Sequence, residues 1–351
     1  MTTLWNNKLL LFGLVLITSC DAAAQELKPE SVFEPLVLRS SEASTHKAGG
    51  EEDALFVSHL NEGLAYLKKK DYQSAIATLE EAARLNPNSA EALHHLGFAY
   101  YKLDNFDQAI RLYTQLVELI RTSAAAHNNL GYAYLGVNRY KDAAACFKTA
   151  LSLKPEFSAP LTGLCFAHSS QENSNELALQ YCGQMAKLHP ESAAANYFFG
   201  YALLEAAQYE RALAVFTRAM ELQPQTALHY IAVGRAQYKL ARYSDSLQNF
   251  AKARILQPNL SDSYLGEGIT LVALKKFGAA RQAFKQALEV DPDNADARFN
   301  LGITCFLEQR PDCALQQYNY LKIMDSSLAD KLFRHLFSNR ILDVRTTQAH
   351  R

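Results

Sequence analysis

The sequence predicts an all-α solenoid built from a repeated pair of helices, and three periodic features predict it. Glycine recurs at Gly63, Gly97, Gly131, Gly200, Gly234, Gly268 and Gly302, with Cys165 in the gap; each step is 34 residues except Cys165 to Gly200, which is 35. Pro87, Pro155, Pro190, Pro224, Pro258 and Pro292 keep the same register, 24 or 25 residues after a rung of that ladder. Between them, apolar residues recur at spacings of three and four, the period of a helix with one buried face. Such a chain buries its core between neighbouring repeats, so its 351 residues are read as one repeat domain whose broad surface suits protein binding.

Residues 1–20 read as an export signal. Lys8 precedes the apolar run from Leu9 to Ile17, which is too short for a stable membrane span and has the form of a secretory h-region. Ile17-Thr18-Ser19-Cys20 resembles the bacterial lipobox, which implies that Cys20 is acylated and becomes the mature N-terminus. The competing cleavage follows Ala22-Ala23-Ala24 and leaves a soluble chain starting at Gln25; the lipobox is preferred because small residues stand correctly before the cysteine. Residues 21–55 lack a sustained period and are rich in Ala, Ser, Glu and Gly. They are expected to be a tether with a coil reach of about 30 Å. The patch Val32-Phe33-Glu34-Pro35-Leu36-Val37-Leu38 inside it is either a docking segment or a collapsed stretch of linker.

Eight repeats are expected at 56–89, 90–123, 124–157, 158–192, 193–226, 227–260, 261–294 and 295–328. Each holds a helix A, a turn, a helix B and a closing proline, which stops the helix because it has no amide hydrogen. The second has Arg121 and the eighth Ser326 where proline is expected. Small residues where the helices cross allow close approach, and an aromatic on helix B fills the space beside them. In the third repeat Leu130-Gly131-x-x-Tyr134 is followed by Ala143, Phe147, Ala150 and Pro155; the fifth has Phe199-Gly200, Leu203, Ala212, Phe216, Ala219 and Pro224; the seventh has Gly268, Leu271, Ala280, Phe284, Ala287 and Pro292. This pattern resembles the tetratricopeptide repeat, a family that implies a right-handed superhelix. Leu328, Leu332, Phe333, Leu336 and Phe337 form one stripe of a capping helix expected over 329–343, with Ser327 and Asp330 as a capping box. Residues 344–351 remain as a tail.

The resemblance also implies a concave groove lined by the second, fifth, ninth and twelfth helix A positions of each repeat. Carried over residue by residue, these are Glu91, His94, Phe98 and Tyr101, then Asn128 and Tyr132, then Phe166, then Tyr197 and Tyr201, then Arg235 and Tyr238, then Leu265 and Ile269, and finally Phe299, Ile303 and Phe306. Aromatic rings supply contact area at low conformational cost, so a peptide or a partner helix is the expected ligand. For any one ring, packing against the next helix A is the alternative. Family members that grip a C-terminal carboxylate use lysine, asparagine and arginine; Asn128 matches one place, but His94 and Phe98 do not fit, and that activity is not expected. Arg235 and Lys239, one turn apart, could meet an acidic segment, but are read rather as a solvated charge pair.

Charge and cysteine usage bound the function further. Lys+Arg 35 and Asp+Glu 36 give a formal net charge of -1 without a basic stripe, so nucleic acid is not an expected partner. The chain shows no H-E-x-x-H, C-x-x-C, G-x-S-x-G or phosphate-loop motif, and neither an enzyme, a cofactor nor a bound metal is expected. The group His94, His95 and His127 has no evident carboxylate or cysteine ligands. Cys165 and Cys182 depart together from the small and aromatic positions of the fourth repeat, which suggests a disulfide in an oxidising compartment, with buried thiols as the alternative. Cys305 and Cys313 are a weaker second pair, leaving Cys146 free. The resulting expectation is an exported, lipid-anchored periplasmic scaffold that binds a protein segment and assists a cell-envelope assembly, its membrane contact confined to the lipid. A periplasmic chaperone holding unfolded clients is the alternative, and self-association stays open.

Overall fold

The computed structural model describes residues 50–171 and 174–336. Among them all regular structure is helical. The signal, Cys20, the tether up to residue 49 and the stretch from Phe337 onward lie outside the described residues. The chain divides into two compact units at Pro190 and Glu191.

The first unit contains α1 (Glu51–Lys68), α2 (Tyr72–Leu85), α3 (Ala90–Lys102), α4 (Phe106–Leu119), α5 (Ala124–Gly136), α6 (Tyr140–Leu153), α7 (Ala159–Ser169) and α8 (Asn175–Leu188). Odd-numbered helices are the A helices; each packs on its own B helix and each B helix on the next A. The second unit contains α9 (Ala193–Glu205), α10 (Tyr209–Leu222), α11 (Ala227–Lys239), α12 (Tyr243–Leu256), α13 (Ser261–Ala273), α14 (Phe277–Val290), α15 (Ala295–Leu307) and α16 (Pro311–Met324). A terminal helix follows, helical over residues 326–336. Within this unit consecutive A helices also touch one another.

Two boundaries differ from expectation. Helix α1 begins at Glu51, so residues 51–55, assigned above to the tether, form its first turn, where Glu51, Glu52 and Asp53 complement the positive end of the helix dipole. The terminal helix begins at 326 rather than 329. Its cap is Asp325, whose Oδ1 accepts from the Leu328 amide at 3.0 Å, in place of the Ser327–Asp330 box.

Local chemistry sets the ends of the pairs. Ser89, Ser123, Ser192 and Asn294 accept from the third following amide at the starts of α3, α5, α9 and α15, the strong N-cap arrangement. Each A helix whose end is described without interruption closes with a left-handed residue: Lys70, Asp104 and Asn138 in the first unit, Ala207, Ala241, Lys275 and Gln309 in the second, with φ between 56 and 61°. The next amide then bonds back five residues, as in Asp71 N to Tyr66 O at 3.0 Å and Arg242 N to Gln237 O at 2.8 Å. This is a Schellman closure, which reverses the chain into helix B and satisfies the last carbonyls of helix A.

The ladder of glycines marks where the two helices meet. A Cβ on Gly97 would stand 2.9 Å from the Tyr113 ring, on Gly131 2.6 Å from Phe147, and on Gly268 2.5 Å from Phe284. Gly163 and Gly266, on the following A helices, close the other side of Phe147 and Phe250. Gly266 therefore has a packing role of its own. The helix B alanines Ala75, Ala109, Ala143, Ala212 and Ala280 are fully buried. Ser246, standing in that register, is equally buried and donates to Gly234 O at 2.8 Å, so its hydroxyl is satisfied.

Three repeats replace the ring. In the first, a Cβ on Gly63 would stand 2.5 Å from Leu79. In the fourth, Cys165 and Cys182 form a disulfide with Cα atoms 4.7 Å apart; in the eighth, a Cβ on Gly302 would stand 2.7 Å from Leu332 of the terminal helix, with Gln317 beside it. Leu332 packs with Phe299, Leu321, Leu328 and Ala329. Cys305 and Cys313 form a second disulfide across the last A–B turn, and Cys146 is the free thiol among these cysteines.

Gly200→Leu is expected to force Phe216 from its seat and to destabilise the second unit by about 1–3 kcal/mol. Ala241→Gly, which relieves a left-handed alanine, should stabilise it by about 0.5 kcal/mol after the added unfolded-chain entropy is counted. Denaturant unfolding of the full chain reads both, and equal shifts would contradict this packing. Under denaturing, unreduced conditions, alkylation should label Cys146 but neither cysteine pair. Reduction of Cys165–Cys182 should cost about 3 kcal/mol, as expected for a loop of this size.

Candidate functional site

The face presented by the A helices is built from the residues at their second, fifth, ninth and twelfth positions. Helical periodicity puts these on one stripe, and the structure sorts them into two sets. His94, Asn128 and Tyr132 in the first unit and Tyr197, Tyr201, Arg235, Leu265, Ile269 and Phe299 in the second are buried. Glu91, Phe98, Tyr101 and Phe166 in the first unit, and Tyr238 and Ile303 in the second, are half-buried, and Phe306 is exposed.

The buried set locks neighbouring A helices together. Tyr132 sets its ring edge-on to Phe147 at 5.0 Å and donates its hydroxyl to Ala159 O at 3.1 Å. Asn129 lies 3.3 Å from His94 Nδ1 and accepts from Asn128 at 3.3 Å. In the second unit Tyr197 and Tyr201 both stack edge-on against Phe216. Arg235 donates to Tyr201 Oη at 3.1 Å and to Asp262 Oδ2 at 3.0 Å. Arg235 is therefore the centre of a buried ion pair, not part of a solvated charge pair with Lys239. Burial works against its charge, but Tyr201 and Asp262 outweigh that and raise its pKa.

The half-buried aromatics share a geometry that the helix A pattern alone did not reveal. Phe98 meets Tyr72 at 6.3 Å, Tyr101 meets Phe106 at 5.5 Å, Phe166 meets Tyr140 at 6.3 Å, and Tyr238 meets Tyr243 at 5.7 Å. The second member of each pair is the first residue of a B helix. Tyr72, Phe106, Tyr140, Tyr209, Tyr243 and Phe277 hold that place, a further aromatic ladder in the sequence in register with the repeat. These pairs, edge-to-face except for the tilted Tyr238–Tyr243, fix the orientation of each ring while leaving part of it exposed.

Titratable groups on this face are tuned mainly by burial. Burial lowers His94 to about 3, helped by His95, and lowers His95 to about 4. His127, the third histidine of the sequence cluster, is occupied elsewhere by Arg121 O at 3.0 Å. In the second unit burial, then Asp262 and Asp325, raise Asp296 to about 6, against the opposing pull of Arg235 and Lys331.

Because His94 and His95 are held neutral, the unfolded chain takes up their protons first on acidification. Stability should therefore fall as pH drops below 6.5 towards 4, by about 1.4 kcal/mol per pH unit for each group. His94→Asn should flatten that slope in denaturant titrations near pH 7, 6 and 5. An unchanged slope would place the titration elsewhere.

Comparison with known proteins bears on the repeat itself. A family profile described as TPR repeat matches residues 63–104, and profiles described as tetratricopeptide repeat match residues 88–156, 193–226 and 265–329. No curated protein matches the sequence significantly. Among solved structures, the chain is similar to a tetratricopeptide repeat protein from Parabacteroides merdae, with 16% identity, TM-score 0.58, and coverage of 72% of this chain and 99% of that one. The Cut9-Hcn1 hetero-tetramer of the APC/C gives 15% identity and TM-score 0.57 over 76% of this chain, which spans about half, 52%, of its counterpart. Pseudomonas aeruginosa pilF gives 19% identity and TM-score 0.51, with 61% of this chain and 97% of that one covered. At these identities the likeness is one of fold.

Proposed function

From the premise that this chain is a tetratricopeptide repeat protein, a fold that binds protein partners, we propose that it is an exported, lipid-anchored adaptor. It holds a segment of a partner protein on its A-helix face and assists assembly of a cell-envelope complex. The observation that carries this reading is the set of half-open, ring-braced aromatics on the A helices: Phe98, Tyr101 and Phe166 in the first unit and, by itself in the second, Tyr238. Their large rings are already fixed, so binding loses little side-chain entropy. The interspersed charges and net charge of -1 suit a protein partner better than a nucleic-acid backbone.

Export is supported by two independent features. The apolar run before Ile17-Thr18-Ser19-Cys20 has the form of a lipoprotein signal, and the pairs Cys165–Cys182 and Cys305–Cys313 suit a compartment where disulfides persist. In this reading Cys20 carries the lipid, and the stretch after it tethers the repeats at a membrane surface.

Crosslinking and capture from the host membrane fraction tests the proposal, comparing the parent with Phe98→Ala/Tyr101→Ala/Phe166→Ala. One partner at fixed stoichiometry, lost in the variant, is the expected result. A diffuse set of unrelated clients would instead indicate a chaperone, and an unchanged partner would move binding off this face. Cys20→Ser should abolish fatty-acid labelling and release the chain from membranes; unaltered fractionation would remove the anchor from the proposal.

A further inference from the structure

On the A-helix face of the second unit, Asp262 and Asp296 hold the second position of consecutive repeats. Their situations differ. Asp262 is taken by Arg235 at 3.0 Å, with both side chains nearly buried. Asp325, which also bears on Asp296, caps the terminal helix through the Leu328 amide. Among the described residues the Asp296 carboxylate has no ion pair or side-chain hydrogen bond, while its backbone carbonyl accepts from Asn300 at 2.8 Å. A half-buried carboxylate beside two others, without a cation of its own, destabilises the fold that holds it.

Along the same stripe of α15 the face turns apolar. Ile303 is half-buried and Phe306 is 38% exposed. At 1.5 Å rise per residue, Phe306 lies about 15 Å along the helix from Asp296. The stripe therefore presents, among the described residues, a carboxylate without an ion-pair partner at one end and an open aromatic at the other. An acidic ligand is disfavoured here, because the buried Arg235 is already committed to Asp262.

We propose that the A face of α13 and α15 binds a partner segment that presents a lysine or arginine to Asp296 and an apolar side chain to Ile303 and Phe306. This rests on the protein-binding reading above and adds the chemistry of the partner. The cation completes a carboxylate that the fold leaves unpaired, and the apolar side chain covers the ring that the fold leaves open. Complementary charge fixes register, while burial of the ring supplies most of the affinity.

The test uses fluorescent synthetic peptides that carry arginine and leucine at about 15 Å separation, with counterparts in which glutamate replaces arginine or serine replaces leucine. They are titrated into the full chain and into Asp296→Asn, Phe306→Ser and Glu210→Gln; Glu210 is an exposed residue of α10 away from the stripe. The arginine–leucine peptide should bind the parent, and Asp296→Asn and Phe306→Ser should each weaken it by about tenfold. Glu210→Gln should leave it unchanged, and the glutamate peptide should not bind. The charged groups around Asp296 are Asp262 on α13, Arg235 on α11, Asp325, and Lys331 on the terminal helix. Since cation binding needs the ionised carboxylate, affinity should fall from about pH 7 to about pH 5 in the parent and stay flat in Asp296→Asn. Asp296→Asn should also melt no lower than the parent, which separates lost binding from lost folding.

Equal weakening by Glu210→Gln, binding of the glutamate peptide, or full affinity in Asp296→Asn would each overturn the inference. If a partner captured from the host is likewise untouched by Asp296→Asn, the adaptor reading stands and this assignment falls. If the host yields no partner and no peptide binds, the adaptor reading falls with it.

Discussion

The crossing of helix A over helix B, with a glycine facing an aromatic ring, is the contact on which the other features depend. It removes the Cβ at the point of closest approach, so the ring of Tyr113, Phe147, Phe216, Phe250 or Phe284 lies directly on the backbone of its partner helix. Such a seat is rigid because neither a side-chain rotamer nor a void is available to absorb movement. The Schellman turn then fixes where helix B starts, and the first residue of helix B is delivered to the margin of the A face. The half-open aromatic pairs are consequences of that placement.

Where the contact is absent, something of equivalent reach replaces it. In the fourth repeat a covalent bridge between Cys165 and Cys182 joins the two helices at the same point. A disulfide tolerates the loss of the large ring because it brings the backbones together by bond rather than by packing. At the eighth repeat the helix over 326–336 takes the place of a following helix A, and its Leu332 lies over Gly302. This closes an apolar face that an array end would otherwise leave open to water. Both substitutions preserve the close approach and change its chemistry.

The A face divides its work between cohesion and contact. Tyr132, Tyr197, Tyr201 and Arg235 sit at positions that line grooves in the family, yet here they join one helix A to the next through buried rings, hydrogen bonds and the Arg235–Asp262 pair. A buried guanidinium is tolerable because both of its partners are fixed. What remains accessible lies mostly towards the far end of each helix A: Phe98 and Tyr101 on α3, Phe166 on α7, Tyr238 on α11, Phe306 on α15. Asp296, at the near end of α15, has no ion-pair partner among the described residues, unlike Asp262, which is paired with Arg235.

The repeat was legible in the sequence because its contacts are local. Gly131 and Phe147 are close along the chain, so the small and large residues that make one crossing recur at a fixed interval, and even the coupled change at Cys165 and Cys182 could be read as a pair. The additional ladder of B-helix aromatics was equally written there and became meaningful only once Tyr101 and Phe106 were seen edge to edge. The fate of the inward residues was not legible. Whether Tyr201 faces a ligand or a neighbour depends on how near the next helix A comes; the residue it meets there, Arg235, lies a whole repeat away, and Arg235 in turn pairs with Asp262 of the repeat after. Residue type and register put those side chains on one stripe. Only the packing of that stripe against its neighbours decided that Arg235 is neutralised within the fold and that Asp296 is not.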